Sequence, residues 1–303
     1  MSNNILVLGL GELGSSIVDG LTAQRPPGTK ITVLLRPSSI SSSSPEKQEQ
    51  ISKLTTQDVA VLPGDIANDD ANKLSELFQP YDLIISSLGF SSGRGSQLKI
   101  ARAVLAAGVQ RFVPWQFGVD YDAIGKGSAQ DLFDEQLDVR ALLRGQDATE
   151  WLIVSTGMFT SFLFEPYFGV VDTAGGVVRA LGGWDNRITV TTAQDIGKLT
   201  ASVVFQRDPV LKNQVVYTAG DTVSFGALAQ AVGVIKKDQV WKRELWSVQK
   251  LEEDLKKDPE NEICKYRVVF AKGVGVAWET ETTYNSQKGI EVLGLKEWAA
   301  ENL

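Results

Sequence analysis

ILVLGLGELGSSIVDGL, residues 5–21, is an apolar run, a glycine turn and the opening of an amphipathic helix in immediate succession. Ile5 to Leu8 has the length and composition of a strand buried on both faces, and from Leu13 to Gln24 the apolar residues recur at helical spacing. Between them lies GLGELG, Gly9 to Gly14. Directly after a strand and directly before a helix, a GxGxxG has a mechanical reading. Gly9 permits a tight turn, Gly11 lets the backbone approach a pyrophosphate, and Gly14 lets the helix lie close on the strand. The phosphate charge is then expected over Glu12 and Leu13, at the positive end of the helix.

Outward from this turn the alternation of strand and helix continues. Lys30 to Leu35, Val59 to Leu62, Leu83 to Ser86 and Arg111 to Pro114 read as further strands. Helix-period stretches at Asp70 to Phe78 and Ser96 to Ala107 precede the last two of them. A helix over Ala129 to Arg144 and a strand over Trp151 to Val154 complete a six-stranded sheet. Pro37 to Pro45, with its serine run, reads as a loop inside the alternation. After Thr156 the rhythm breaks into aromatic-rich segments, glycine turns at Gly175, Gly176, Gly182 and Gly183, and a charged stretch from Lys250 to Glu262. The expected fold class is α/β. A doubly wound parallel Rossmann sheet over 1–155 carries the nucleotide, and a smaller substrate-binding α/β region spans 156–303. Ile188 to Thr192 and Val215 to Thr218 look like strands that return to the first sheet.

Composition removes several function classes. With 303 residues and 43% hydrophobic content the chain buries one large core or two modest ones. Its 30 basic and 37 acidic residues leave a net charge of -7, which opposes the phosphate neutralisation that nucleic acid demands, so no nucleic-acid partner is expected. No apolar stretch approaches the roughly 20 residues of a membrane helix, and no membrane association is expected. A lone cysteine, Cys264, and a start without a basic-apolar leader point to the cytoplasm. The chain has no histidine. That removes the commonest general base, the Ser-His-Asp triad and His-ligated metals, and no metal site is expected.

The second strand ends at Leu35 with Arg36, where an NAD-binding chain usually carries an acid for the ribose hydroxyls. A guanidinium there suits a 2'-phosphate through forked, charge-assisted hydrogen bonds, assisted by Ser38 and Lys47. The expected cofactor is therefore NADPH/NADP+. Asp65, after the third strand, is expected at the adenine edge, and Leu88 and Gly89, after the fourth, along the cofactor's path.

Together with GLGELG and the arginine of LLRP, the segments GVQRFVPWQFGVDYD, VSTGMF and FLFEPYFGVVD make the chain resemble the NmrA-like, isoflavone-reductase-like family of atypical short-chain dehydrogenases. The nearest likeness is to its fungal isoflavone reductase-like members. The resemblance covers nearly the whole length. It implies NADPH-dependent reduction of an aromatic or heterocyclic small molecule, often in specialised metabolism, or an NmrA-type redox-sensing role without turnover. It also implies that Gln116, Phe117 and Arg140 contact the cofactor, Arg140 at a phosphate.

The departure falls at the reacting position. Plant reductases of this family carry a catalytic lysine in an FxxK pattern, which here reads Phe133, Asp134, Glu135, Gln136. A glutamine donates a hydrogen bond to a carbonyl but exchanges no proton near neutral pH. Tyr121 and Lys126 are the remaining titratable candidates in this segment, although their spacing is not the YxxxK of ordinary short-chain dehydrogenases. Gln136 is expected to orient the acceptor, with Tyr121, Lys126 or water supplying the proton. An isomerisation, dehydration or cyclisation on the same scaffold stays open. Trp115, Met158, Phe159, Phe162, Tyr167 and Trp184 are expected to line an apolar pocket for a hydrophobic aromatic substrate, against the plainer reading that each is core.

Overall fold

The computed structural model describes residues 4–89, 93–206 and 211–303. In chain order the first half contains β1 (Asn4–Leu8), α1 (Glu12–Gln24), β2 (Lys30–Leu35), α2 (Pro37–Ile40), α3 (Pro45–Thr56), β3 (Val59–Pro63), α4 (Ala71–Phe78), β4 (Leu83–Ser86), α5 (Ser96–Ala106), β5 (Arg111–Val113), α6 (Tyr121–Ile124), α7 (Leu132–Arg144) and β6 (Glu150–Ser155). There follow β7 (Met158–Phe159), a 3-10 turn at Thr160–Phe164, β8 (Val171–Asp172), β9 (Val177–Leu181), β10 (Arg187–Thr191) and α8 (Ala193–Phe205). The chain closes with β11 (Gln214–Tyr217), β12 (Asp221–Ser224), α9 (Phe225–Ile235), β13 (Lys242–Trp246), α10 (Val248–Lys257), α11 (Glu262–Lys272), α12 (Tyr284–Gln287) and α13 (Leu295–Asn302).

The main sheet runs β3-β2-β1-β4-β5-β6, every neighbouring pair parallel, with β11 beyond β6. This is the doubly wound order, and its reversal falls where β1 lies between β2 and β4. Val7 is registered with Val33 on one side and Ile85 on the other, and Ile5 to Leu8 are fully buried, as an uninterrupted apolar run at a sheet centre must be. The sheet has seven strands rather than six. The seventh is β11, one of the two late strands expected to return.

The other late strand does not return. β10 pairs antiparallel with β12 and parallel with β7 in a separate three-stranded sheet. Its alternate side chains explain the choice. Thr191 Oγ1 donates to the Thr156 carbonyl at 2.7 Å and Thr189 Oγ1 meets Thr222 Oγ1 at 2.7 Å, partners that an apolar strand would not need. The stretch Pro37 to Pro45 is likewise more than a loop. Pro37 opens the single turn α2, and Pro45, at the first position of α3, begins twelve helical residues.

The chain forms two compact units. Unit 1 gathers residues 1–116, 138–154 and 196–216; unit 2 gathers 117–137, 155–195 and 217–303. The chain passes from unit 1 to unit 2 at 116/117, 154/155 and 216/217 and back again at 137/138 and 195/196. Within unit 1, Gly20 of α1 and Gly197 of α8 lie backbone to backbone: a Cβ on Gly20 would meet the Gly197 carbonyl, and one on Gly197 that of Ser16. Among the described residues no helix is long and apolar enough to cross a membrane.

Candidate functional site

A cavity of about 330 Å³ opens in unit 1, lined by Gly9 and Gly11, Leu34 to Arg36, Ser39, Lys47, Gln50, Ile51, Gly64 to Ala67 and Leu88. Its floor is the row of carboxyl ends of β1, β2, β3 and β4, the place where ligands of doubly wound sheets bind. Each glycine of the first turn has its own geometric reason. Gly9 has φ +92°, and a Cβ there would lie 2.6 Å from Leu88 Cδ2. Gly14 is pressed against the Gly9 carbonyl and Ser87 Oγ, and Ser87 Oγ donates to the Leu8 carbonyl at 2.7 Å, tying β4 to the turn. A Cβ on Gly11, by contrast, would meet no protein atom within 4 Å. Gly11 caps α1 without a side-chain hydrogen bond, so the helix start over Glu12 and Leu13 offers its backbone N–H groups to an incoming anion.

Arg36 and Lys47 supply cations to this cavity from two elements, and Lys47 Nζ donates to Gln50 Oε1 at 3.0 Å one helical turn away. Ser38 is exposed and not among the lining residues; Ser39 is. The one-turn helix α2 rotates each successive side chain by about 100°, which turns the second serine inward instead of the first. Asp65 lines the cavity, but its carboxylate accepts hydrogen bonds from Asn68 Nδ2 at 2.8 Å and from the amides of Ala67 and Asn68 at 3.0 and 3.2 Å. The Asn68 side chain first, and then these amides, hold the carboxyl below its usual range. The carboxylate therefore braces its own turn. Gly89 lies under Trp115, whose ring would be 3.3 Å from an added Cβ. Arg140, wholly buried, donates from Nε to Gln116 Oε1 at 2.7 Å and so fixes the orientation of that buried amide.

In unit 2, Gln136 is fully buried on α7, three residues beyond Phe133 and on the same face. Phe117 and Met158 are buried, and Met158–Phe159 is the short strand paired with β10. Tyr121 is 3% exposed, whereas Lys126 stands exposed in the turn between Gly125 and Gly127, so the two candidates have different environments. Phe162 meets Tyr167 at 5.7 Å and Phe168 at 4.6 Å between ring centroids. Arg267 secures this turn by donating to the Tyr167 and Phe168 carbonyls, at 2.8 and 2.9 Å. Trp184 lies elsewhere, under the Arg243 guanidinium at 5.5 Å, with its carbonyl accepting from Gly226 N at the start of α9.

Ser39 and Gln50 in the cavity, and Tyr266 among the rings, were not among the residues expected from sequence. Gln50 was within reach, because Ser44-Pro45-Glu46 is a helix start and places Lys47 and Gln50 on one face. Tyr266 carried no such signal, since its ring neighbours are distant in sequence.

The model of the NmrA-like family matches residues 1–263. An NmrA-like family domain-containing oxidoreductase of Gibberella moniliformis is 48% identical over 98% of this chain and 97% of its own. Among solved structures, an isoflavone reductase superposes with TM-score 0.80 at 21% identity, covering 100% of both chains. A binary complex of leucoanthocyanidin reductase with NADPH from Vitis vinifera superposes with TM-score 0.81 at 18% identity, covering 98% of both. These last two establish likeness of fold. With the family model spanning most of its length and a relative at nearly half identity end to end, the chain belongs to the NmrA-like family.

Proposed function

We propose that this protein is an NADPH-dependent reductase of an aromatic or heterocyclic small molecule, working without the lysine its plant relatives use, in fungal specialised metabolism. The observation that carries the reading is the cavity of unit 1, a glycine-floored pocket with two cations at its adenosine end. It fits the cofactor on its own terms: Gly11 leaves open space where a pyrophosphate needs it, the start of α1 has no side-chain cap, and Arg36 with Lys47 suits a 2'-phosphate. Bound there, NADPH supplies hydride. The oxidoreductase name of the Gibberella relative and the NADPH in the leucoanthocyanidin reductase complex agree with it.

The remaining work belongs to side chains of unit 2. The Gln136 amide donates a hydrogen bond to the acceptor oxygen and holds it while negative charge develops. Tyr121, a buried phenol, or water returns the proton; Lys126, on an exposed turn, is the weaker candidate. Phe162 and Tyr167 offer ring faces to an aromatic substrate. The test is NADPH oxidation with a panel of aromatic ketones, quinones and benzylic ethers. Gln136→Ala is expected to lower turnover by about 100-fold or more while NADPH affinity stays within about twofold. Unchanged turnover removes Gln136 from the site. A second reading rests on Gln136 itself: a site without a proton-exchanging lysine also suits isomerisation or cyclisation, and product formation without NADPH consumption would decide for it.

A further inference from the structure

Four segments of unit 2 bring their rings into one chain of edge-to-face contacts. Tyr121 of α6 meets Phe133 of α7 at 4.8 Å, Phe133 meets Tyr266 of α11 at 5.7 Å, and Tyr266 meets Phe162 of the 3-10 turn at 6.0 Å. Tyr266 is the link between the helix that carries Gln136 and the 3-10 turn that carries Phe162, the ring neighbour of Tyr167. Its ring position is accounted for by these contacts, which a phenylalanine would make equally well. Its hydroxyl is not. The Tyr217 phenol donates to Asp120 Oδ2 at 2.8 Å, whereas among the described residues the Tyr266 hydroxyl makes no hydrogen bond. A half-buried O–H without a protein partner loses part of its hydration for no return, unless a ligand supplies the acceptor.

We propose that Tyr266 is a specificity-determining residue of the aromatic site, its hydroxyl donating a hydrogen bond to an oxygen borne on the substrate's ring system. This rests on the reading of unit 2 as the substrate-binding part. The acceptor is a carbonyl, ether or hydroxyl oxygen, so the site selects oxygenated aromatics over hydrocarbons of the same shape. Burial, with Tyr121 and Glu262 nearby, pushes the phenol well above its ordinary range, so Tyr266 stays neutral and acts as a fixed donor. The role is recognition, which separates it from Gln136 at the reacting atoms.

The test uses the NADP+-loaded protein and two probes of one shape, phenanthrenequinone and phenanthrene, with binding measured by calorimetry. Wild type is expected to bind the quinone at least about fivefold more tightly. Tyr266→Phe should weaken quinone binding by about fivefold, one neutral hydrogen bond, and leave the hydrocarbon within about twofold. Tyr266→Leu, which also removes the ring, should weaken both. If Tyr266→Phe binds both probes as wild type does, the hydroxyl meets only solvent and the proposal fails while the aromatic site stands. If wild type binds neither probe, the aromatic site itself fails, and this proposal with it.

Discussion

The cavity of unit 1 and the ring cluster of unit 2 are built from different materials. The first is made largely of backbone: strand ends in register, a turn at Gly9 with φ +92°, and an uncapped helix start at Gly11. The second is made of side chains from α6, α7, the 3-10 turn and α11, held edge to face. A backbone site excludes a side chain wherever its turn leaves no room for a Cβ, as at Gly9 and Gly14. Side-chain sites invert this, because each member is replaceable in volume but specific in its polar group.

The sharpest way to break the contrast is to add one methyl group at two glycines. Gly14→Ala forces a Cβ into the Gly9 carbonyl and is expected to destabilise the fold by about 1–3 kcal/mol, read in a denaturant midpoint. Gly11→Ala meets no protein atom, so the midpoint should stay put while NADPH affinity falls about tenfold or more. If both variants change stability alike, Gly11 is structural and the backbone reading of the cavity is wrong.

Charge at the cavity's far end gives an effect on affinity of similar size. Arg36→Ala should raise the KM for NADPH by about 10- to 100-fold, the loss of a charge-assisted hydrogen bond or two, and leave the KM for NADH nearly unchanged. Equal losses for both cofactors would mean that Arg36 does not read the 2'-phosphate.

The smallest effect belongs to the ring cluster and appears only in alkali. The Tyr266 phenol is raised in the folded chain, so above about pH 10 the unfolded state releases a proton that the folded state keeps. Stability should therefore be unaffected below that pH and decline above it, by no more than about 1.4 kcal/mol at pH 11. Tyr266→Phe should flatten this part of the curve, and a decline that persists in the variant would assign it to other groups.

Legibility followed the same division. The run Ile5 to Leu8 and the turn Gly9 to Gly14 were readable because a buried strand and a tight turn are local demands on consecutive residues. The alternation of strand and helix announced a parallel, doubly wound sheet. That Ser39 and not Ser38 lines the cavity was not readable, because a single proline-started turn, α2, rotates the chain by an amount the serine run does not record. That the Asp65 carboxylate also accepts hydrogen bonds within its own turn was not readable either, since Asn68 meets it at short range only once the turn has formed.

From the sequence alone came the Rossmann architecture, the glycine turn and the arginine that follows β2, all of which depend on neighbours along the chain. Tertiary structure alone decided that β10 joins a second sheet, that Arg140 grips Gln116, and that Tyr266 stands between Phe133 and Phe162. Those contacts join residues far apart in sequence. Their energies arise from desolvation and ring geometry that exist only once the chain has folded.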